Sequence, residues 1–338
     1  MNLLVTGGCG FIGSNLVRHL RQVRPDWKIV NLDKLTYAGN LENLKALEGD
    51  PKHVFVKADI NDKTALKGIF ETHGIESVMH LAAESHVDRS ILGPEEFIVT
   101  NVLGTQVLLE VARAAKVQRF LQVSTDEVYG SLGPTGAFSE TSPLQPSSPY
   151  SASKTSADLI ALAWHHTFGM DVVVTRCSNN YGSFQFPEKL IPLMVDNALK
   201  DKPLPVYGDG ANVRDWLHVE DHCSALLAAL EKGKAGGVYN IGGNSERKNI
   251  EIVKRILTLT NKPESLIKYV KDRPGHDRRY AIDATKAKAE LGWAPKHTFE
   301  QGLEETVKWY VDNRAWVERV TSGAYRTYFE TQYRARLS

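Results

Sequence analysis

The sequence is poor in cysteine, in net charge and in long apolar runs, and each shortage removes a class of function. Only three cysteines occur in 338 residues, Cys9, Cys177 and Cys223. They lie far apart, without the paired spacing of a zinc site or a disulfide framework, so a reducing, cytoplasmic setting and no metal are expected. Forty-one basic side chains against forty acidic ones leave a net charge of +1, with no long block of either sign. That balance argues against nucleic acid or an anionic membrane as principal partner. No uncharged apolar stretch of about 18 residues is present, and "NLLVTGGCGFIG" at the amino terminus leaves no room for a charged and then apolar leader, so neither export nor membrane spanning is expected. Internal repeats and low-complexity segments are also missing.

What is present, through about residue 176, is a regular alternation. Short β-branched runs ("NLLVT", "KIVNLD", "HVFVKAD", "SVMHLAA", "RFLQVST", "DVVVTRC") are separated by stretches of helical periodicity, clearest at 11–24, 95–116 and 150–168. This pattern predicts an α/β chain with a doubly wound parallel sheet of the Rossmann type. After Cys177 the rhythm breaks into short, Gly- and Pro-rich segments, with helices near 188–200, 220–232, 249–260 and 299–314. We expect a cofactor-binding unit over 1–177 and a smaller, mainly substrate-binding lobe over 178–338, with some return of the chain to the first unit. The polar and aromatic tail beyond about 315 has no assignment.

Gly7, Gly10 and Gly13, in "TGGCGFIG", stand between the first strand and the first helix. Glycines there permit a tight turn, close approach of backbone to a pyrophosphate, and close packing of helix on strand. Asp33 ends the second strand about twenty residues further on, where a carboxylate accepts from an adenosine ribose and repels a 2′-phosphate, so NAD is expected rather than NADP. Asp59 is a candidate for the adenine amino group, or else a cap for a helix over 62–74.

"YSASK" sets Tyr150 and Lys154 on one helix face. A lysine ammonium beside a phenol lowers the phenol's pKa, which suits Tyr150 to proton abstraction; the alternative is an ordinary pair on a solvated face. Upstream, "STDEVYG" places Thr125 and two adjacent carboxylates, Asp126 and Glu127, just past a strand end. Doubly wound sheets bind ligands there, so acid and base work on one small substrate competes with a plain solvated turn.

Together, the glycine loop, Thr125, Tyr150 and Lys154 resemble the extended short-chain dehydrogenase/reductase family. The likeness to its nucleotide-sugar 4,6-dehydratase branch runs over most of the chain, in "LTYAGN", "AESHVDRSI", "CSNNYG", "FPEKLIPL", "RDWLHVEDH", "YNIGG" and "DRPGHDRRYAIDA". The Thr-Asp-Glu of Thr125, Asp126 and Glu127 is the diagnostic triplet: carbon-4 epimerases have small neutral residues here, and GDP-mannose dehydratases read Thr-Ser-Glu. Cys9 departs from the alanine usual in the loop.

The resemblance implies dehydration of dTDP-glucose to a 4-keto-6-deoxy sugar with a tightly bound NAD regenerated each turnover. Tyr150 takes the proton of the sugar's carbon-4 hydroxyl, aided by Thr125, while Lys154 holds the nicotinamide ribose. The carbon-4 ketone then acidifies the carbon-5 hydrogen, which Glu127 removes as base while a protonated Asp126 donates to the departing carbon-6 hydroxyl. Further cofactor contacts are implied at Phe11, Ile12, Lys34, Thr36, Ile60, Leu81, Ala83, Ser85, Thr100 and Asn180. Sugar-nucleotide contacts are implied at Ser85, His86, Asn179, Glu188, Lys189, Leu190, Pro205, Tyr207, Asn249 and His276, with Arg214 and Arg273 on the diphosphate. Each has a plainer reading: Arg214 and Arg273 as ion pairs with Asp215 and Asp272, His276 paired with Asp277, Tyr207 as packing. His165 and His166 read as ordinary helix residues.

Excess apolar side chains on the 95–116 and 150–168 helices suit the family's four-helix homodimer contact. The competing functions are a UDP-glucose 4,6-dehydratase, a nucleotide-sugar 4-epimerase and a non-catalytic NAD-binding regulator. The regulator is disfavoured because Thr125, Tyr150 and Lys154 are all retained.

Overall fold

The computed structural model describes residues 1–272 and 275–322. Its strands are β1 (Asn2–Thr6), β2 (Lys28–Asp33), β3 (His53–Lys57), β4 (Ser77–His80), β5 (Arg119–Thr125), β6 (Val172–Cys177), β7 (Asn179–Tyr181), β8 (Leu204–Tyr207), β9 (Val213–His218), β10 (Val238–Ile241), β11 (Glu246–Lys248) and β12 (Ile267–Val270). Seven of them form one sheet in the order β10-β6-β5-β4-β1-β2-β3, and every pairing in it is parallel. The chain winds outward in one direction from β1 through β2 to β3 and in the other from β4 onward. A doubly wound sheet opens a crevice at such a reversal, outside the carboxyl ends of its strands.

Both faces of the sheet are covered, and the strands bury alternate side chains in two different cores. Leu3, Val5, Met79, Leu121 and Val173 pack toward the Phe11–Val23 and Val219–Lys232 helices. Leu4, Val78, Phe120, Val172 and Val174 pack toward the Lys63–His73, Gly104–Ala114 and Pro149–Phe168 helices. The last helix begins where local chemistry dictates: Ser148 and Ser151 form a reciprocal cap, Pro149 occupies the first turn, and Gly169 closes the far end in left-handed geometry.

The helical run Glu95–Ala114 is long and apolar enough, by length and composition, to cross a membrane. Two glutamates open it and Leu108, Leu109, Val111 and Ala112 are buried against the sheet. Its Ile98–Leu103 stretch is wound as a π-helix, a widening common at functional sites.

A second lobe is built over a separate core of Leu193, Val195, Ile252, Val253, Ile256, Leu303 and Val307, from the Leu190–Leu199, Asn249–Leu259 and Phe299–Asp312 helices. Small sheets β11-β9-β7 and β12-β8 complete it. Between these pieces the chain returns to the main sheet, as β10 extends β6 and the Val219–Lys232 helix packs on its face. A further helix, Arg314–Val320, seals the second core with Trp316 and Val317; the sequence reading left this segment unassigned.

Candidate active site

The glycine loop is a packed cradle. Gly7 adopts φ +71, and a Cβ there would stand 2.7 Å from the Ala82 amide nitrogen; a Cβ on Gly13 would stand 2.1 Å from the Gly7 carbonyl oxygen. Gly10 differs, since its missing Cβ would meet only the Gly7 carbonyl at 3.4 Å. Bare backbone therefore faces the crevice at the amino end of the Phe11–Val23 helix, an arrangement suited to a pyrophosphate. Cys9 is fully buried, and burial first, then Asp33, pushes its thiol up to about 12, so it serves as a small packing residue in place of alanine.

Asp33 holds the loop from the end of β2, accepting from the Cys9 amide at 2.9 Å and the Leu35 amide at 2.8 Å. Burial raises its pKa while those two amides oppose the rise. Each carboxylate oxygen retains a lone pair for a ribose hydroxyl. Asp59 bonds Lys34 at 2.7 Å and the Asn61 amide at 2.9 Å. It caps no helix: Asp62 does so for Lys63–His73, by accepting from the Ala65 amide.

One continuous cleft is lined by the loop residues Gly7, Gly10, Phe11, Ile12 and Gly13, by Asp33, Lys34 and Thr36, and by Asp59 and Ile60. Further along, its walls are Leu81, Ala83, Ser85, Thr100, Asn179 and Asn180, then Glu188 and Lys189. Thr125, Asp126, Glu127, Tyr150 and Lys154 complete the lining. The donor set suits a dinucleotide: a glycine cradle, a carboxylate at the second strand end, and apolar walls.

Thr125 closes β5 and caps the Asp126–Tyr129 turn by accepting from the Glu127 amide at 3.3 Å. Asp126 is 1% exposed, and its Oδ2 is buried without a hydrogen-bond partner among the described residues. Burial first, then Glu127 and Asp215, drives its pKa well above the ordinary carboxylate range, against the pull of Arg214. The environment therefore favours the protonated acid more than an exposed aspartate's does. Glu127 is half-buried beside it.

Tyr150 is likewise buried. Burial, then Glu127 and Cys177, pushes its phenol well up, while a hydrogen bond with Thr125 opposes the rise. Lys154 donates to the Val123 carbonyl at 2.7 Å, and burial lowers its pKa. The lowering of the phenol expected from Lys154 is not what the buried site gives: burial dominates at Tyr150, and Lys154 is turned to the Val123 carbonyl.

Beneath these residues lies machinery the sequence reading did not single out. Arg176 Nε bonds Asp158 at 2.9 Å and its guanidinium reaches the Tyr129 hydroxyl at 3.0 Å. Asp158 stands four residues after Lys154 on the same helix face and acts to raise that lysine's pKa. Asn101, in the π-wound turn, bonds both the Glu84 backbone and Ser153 Oγ. It ties the loop after β4 to the Tyr150 helix. The helical offset of Asp158 was visible in the sequence, whereas Asn101 carried no signal.

At the mouth toward the second lobe, Glu188 accepts from Tyr37 at 3.1 Å and from Arg89 at 3.4 Å, with His86 at 3.9 Å. Lys189 donates to the Ser85 carbonyl at 3.1 Å. Leu190, Pro205, Tyr207, Arg214, Asn249 and His276 do not line the cleft just described. Leu190 packs on the second core, and Pro205 sits in β8. The Tyr207 hydroxyl reaches Asp88 at 3.2 Å. Arg214 donates to the Asp277 carbonyl at 2.9 Å and lies over the Tyr280 ring at 4.4 Å.

Two plainer readings are corrected here. His276 pairs with Asp272, at 2.6 Å, and not with Asp277. Asp215 accepts from the Gly243 and Ser245 amides, at 2.9 and 2.6 Å, in a buried site rather than a surface ion pair. Asn249 opens its helix with a buried Oδ1 that has no partner among the described residues. Arg273 lies outside the described residues. His165 bonds the Met170 carbonyl at the helix end, as an ordinary helix residue does.

A Rossmann sheet with a glycine cradle, a Thr/Tyr/Lys set and an adjacent acid pair defines an extended short-chain dehydrogenase/reductase. Comparison with known proteins narrows this. The family described as GDP-mannose 4,6 dehydratase matches residues 4–306. A dTDP-glucose 4,6-dehydratase of Xanthomonas campestris pv. campestris (strain B100) is 56% identical, across 96% of this chain and 97% of its own. The crystal structure of dTDP-glucose 4,6-dehydratase from Streptomyces venezuelae with NAD and TYD bound superposes with a TM-score of 0.92 at 50% identity, covering 95% of this chain and 100% of that one. That of the Bacillus anthracis enzyme in complex with NAD gives 0.89 at 53%, covering 95% and 99%. The chain belongs to the dTDP-glucose 4,6-dehydratase family.

Proposed function

We propose that this chain is an NAD-dependent hydro-lyase that converts dTDP-glucose to dTDP-4-keto-6-deoxyglucose, with its work divided among residues as follows. NAD, when bound, supplies the hydride acceptor for oxidation at carbon 4 and the donor for reduction at carbon 6. The glycine cradle, Asp33 and the walls from Ile60 to Thr100 hold it. Thr125 and Tyr150 orient the carbon-4 hydroxyl, and Tyr150 takes its proton as the phenolate, a form that the positive charge of a bound nicotinamide would favour against the burial of the phenol. Glu127, less buried than its neighbour, removes the carbon-5 proton. Asp126 protonates the departing carbon-6 hydroxyl.

The observation that carries this reading is the pair itself: a buried aspartic acid whose burial favours the protonated form, directly followed by a less buried glutamate, both at the carboxyl end of β5 beside Tyr150. Neighbouring carboxylates in unequal environments separate into acid and base. A carbon-4 epimerase has no use for such a pair.

Residues 1–177 provide the NAD site and most of the remainder the nucleotide-sugar site, with Arg214 on the diphosphate and Asn249 and His276 in the sugar-nucleotide pocket of the second lobe. Arg214 already acts electrostatically on Asp126, which supports placing the substrate across both lobes. Three buried free thiols suit a reducing compartment such as the cytoplasm. The chain works as a homodimer through the exposed apolar faces of its two long helices.

The test is a mass spectrum of dTDP-glucose and UDP-glucose incubated separately with the purified protein and no added reductant. Loss of one water from dTDP-glucose is the expected result. Loss mainly from UDP-glucose would transfer the activity to the uridine nucleotide, and conversion to galactose without mass change would overturn the dehydratase reading.

A further inference from the structure

A second cluster of chemically able side chains lies away from the cleft, where β9 ends, the Val219–Lys232 helix starts and the Phe299–Asp312 helix begins. His218, Glu220 and His297 each present a donor atom there, and the three atoms lie within 4.8 Å of one another. The cysteine spacing in the sequence points to no metal, and His218, Glu220 and His297, far apart along the chain, carry no local signal of one.

The hydrogen bonding fixes how His297 is presented. Asp221 Oδ2, buried, accepts from the His297 backbone amide at 2.9 Å and stands 3.0 Å from Nδ1. A carboxylate only accepts, so Nδ1 carries the proton. Nε2 therefore faces outward, 3.9 Å from a carboxylate oxygen of Glu220 and 3.8 Å from one of Glu305. A lone pair aimed at two carboxylates is repelled unless a cation or a second ring proton lies among them. The carboxylate behind the ring is the arrangement that orients metal-bound histidines and raises their basicity.

The second imidazole is supplied from the interior. His218 is 5% exposed, its ring centroid lies 4.1 Å from that of His297, and its Nδ1 is buried without a hydrogen-bond partner among the described residues. Tetrahedral donors bound at about 2.0–2.2 Å lie roughly 3.3–3.5 Å apart. The present donors, within 4.8 Å of one another, must draw together to reach that range, and Glu305, 3.8 Å from His297 Nε2, stands next to the group rather than within it. Two imidazoles with one or two carboxylates favour zinc or a similar borderline divalent ion over calcium or magnesium.

We infer that His218, Glu220 and His297, with Glu305 as fourth donor, form a binding site for a divalent transition-metal ion, with Asp221 as the positioning residue behind His297. A metal there pins the end of β9 and the start of the Val219–Lys232 helix, which packs on the main sheet, to the Phe299–Asp312 helix of the second lobe. This inference is independent of the dehydratase reading.

The test uses untagged full-length protein, titrated with zinc chloride by calorimetry and with cobalt chloride by visible absorption. The expected result is one site per chain, the intense visible bands of a tetrahedral cobalt ion and a raised melting temperature. His297→Gln and Glu220→Gln should each weaken binding at least tenfold, and Asp221→Asn should weaken it roughly 10–100-fold, all with unchanged far-ultraviolet circular dichroism. Glu220→Gln changes an exposed side chain, so it keeps the test decisive if a buried substitution perturbs folding. Absence of a cobalt spectrum, or binding unchanged in both His297→Gln and Glu220→Gln, would overturn the site.

Discussion

Asp158 and Arg176 form an ion pair at 2.9 Å with side chains 0% and 3% exposed, one helical turn from Lys154 and under the floor of the cleft. Burial raises the Asp158 pKa, and Arg176 and then Lys154 oppose the rise. The pair links the Tyr150 helix to β6, and through the Tyr129 hydroxyl, which bonds Asn240 at 2.8 Å, to β10. Removing one partner strands the other charge. Asp158→Ala should cost about 3–5 kcal/mol, read as a lowered urea midpoint. The double variant Asp158→Leu with Arg176→Met should recover much of that loss. A single-variant cost below about 1 kcal/mol would show that water reaches the pair.

The acid and base roles separate in isotope experiments. Asp126→Asn and Glu127→Gln should each lower turnover by roughly 10²–10⁴. In deuterated buffer, Asp126→Asn should still exchange the carbon-5 hydrogen, because its base is intact while water cannot leave. Glu127→Gln should not exchange it. Exchange in the second variant and none in the first would reverse the assignment.

His80 links β4 to its neighbours, standing 2.7 Å from Thr6 Oγ1 and 3.0 Å from Thr105 Oγ1. Burial, with a smaller push from Lys154, lowers its pKa from 6.5 to about 3. The folded state therefore binds fewer protons than the unfolded state between those values, and the stability due to this group, whole above 6.5, drains away as pH falls toward 3. The loss runs at up to roughly 1.4 kcal/mol per pH unit. His80→Gln should flatten the pH dependence of the urea midpoint by about one proton in this window. An unchanged slope would mean that the ring is charged in the fold.

The proposed homodimer would bury the exposed Leu92, Ile98, Leu103, Leu159 and Phe168, all on the Val87–Leu92 helix or the two long ones after it. Burying such residues at a two-fold contact removes apolar surface from water at roughly 25 cal/mol per Å². Light scattering should give twice the chain mass for the native protein and a monomer for Leu103→Asp combined with Leu159→Asp. A native monomer would end the proposal.

Much of the first half is legible in the sequence because parallel strands are buried on both faces and read as continuous apolar runs between amphipathic helices. The predicted strand "RFLQVST" and the observed Arg119–Thr125 coincide, and the 150–168 helix differs only by its Pro149 start. Gly7, Gly10, Gly13, Asp33, Thr125, Tyr150 and Lys154 are named because local spacing forces them onto strand ends and one helix face, whereas the cleft walls from Phe11 to Thr100 follow from the family resemblance alone. The second half resists this kind of reading. Its strands are three to six residues long and packed edge to edge across gaps in sequence, so "VYNIGG" gave no sign that Val238–Ile241 would pair with β6.

Local pattern by itself determined the sheet, the cradle, the acid pair and the Tyr/Lys helix face, since each depends on residues within one or two turns of chain. Only the tertiary structure decided that Asp126 is buried in a setting that favours its protonated form, that Asp158 meets Arg176, that Asn101 braces Ser153 and that His218 meets His297. Desolvation and side-chain pairing depend on which distant segments cover a group, and periodicity along the chain holds no record of that.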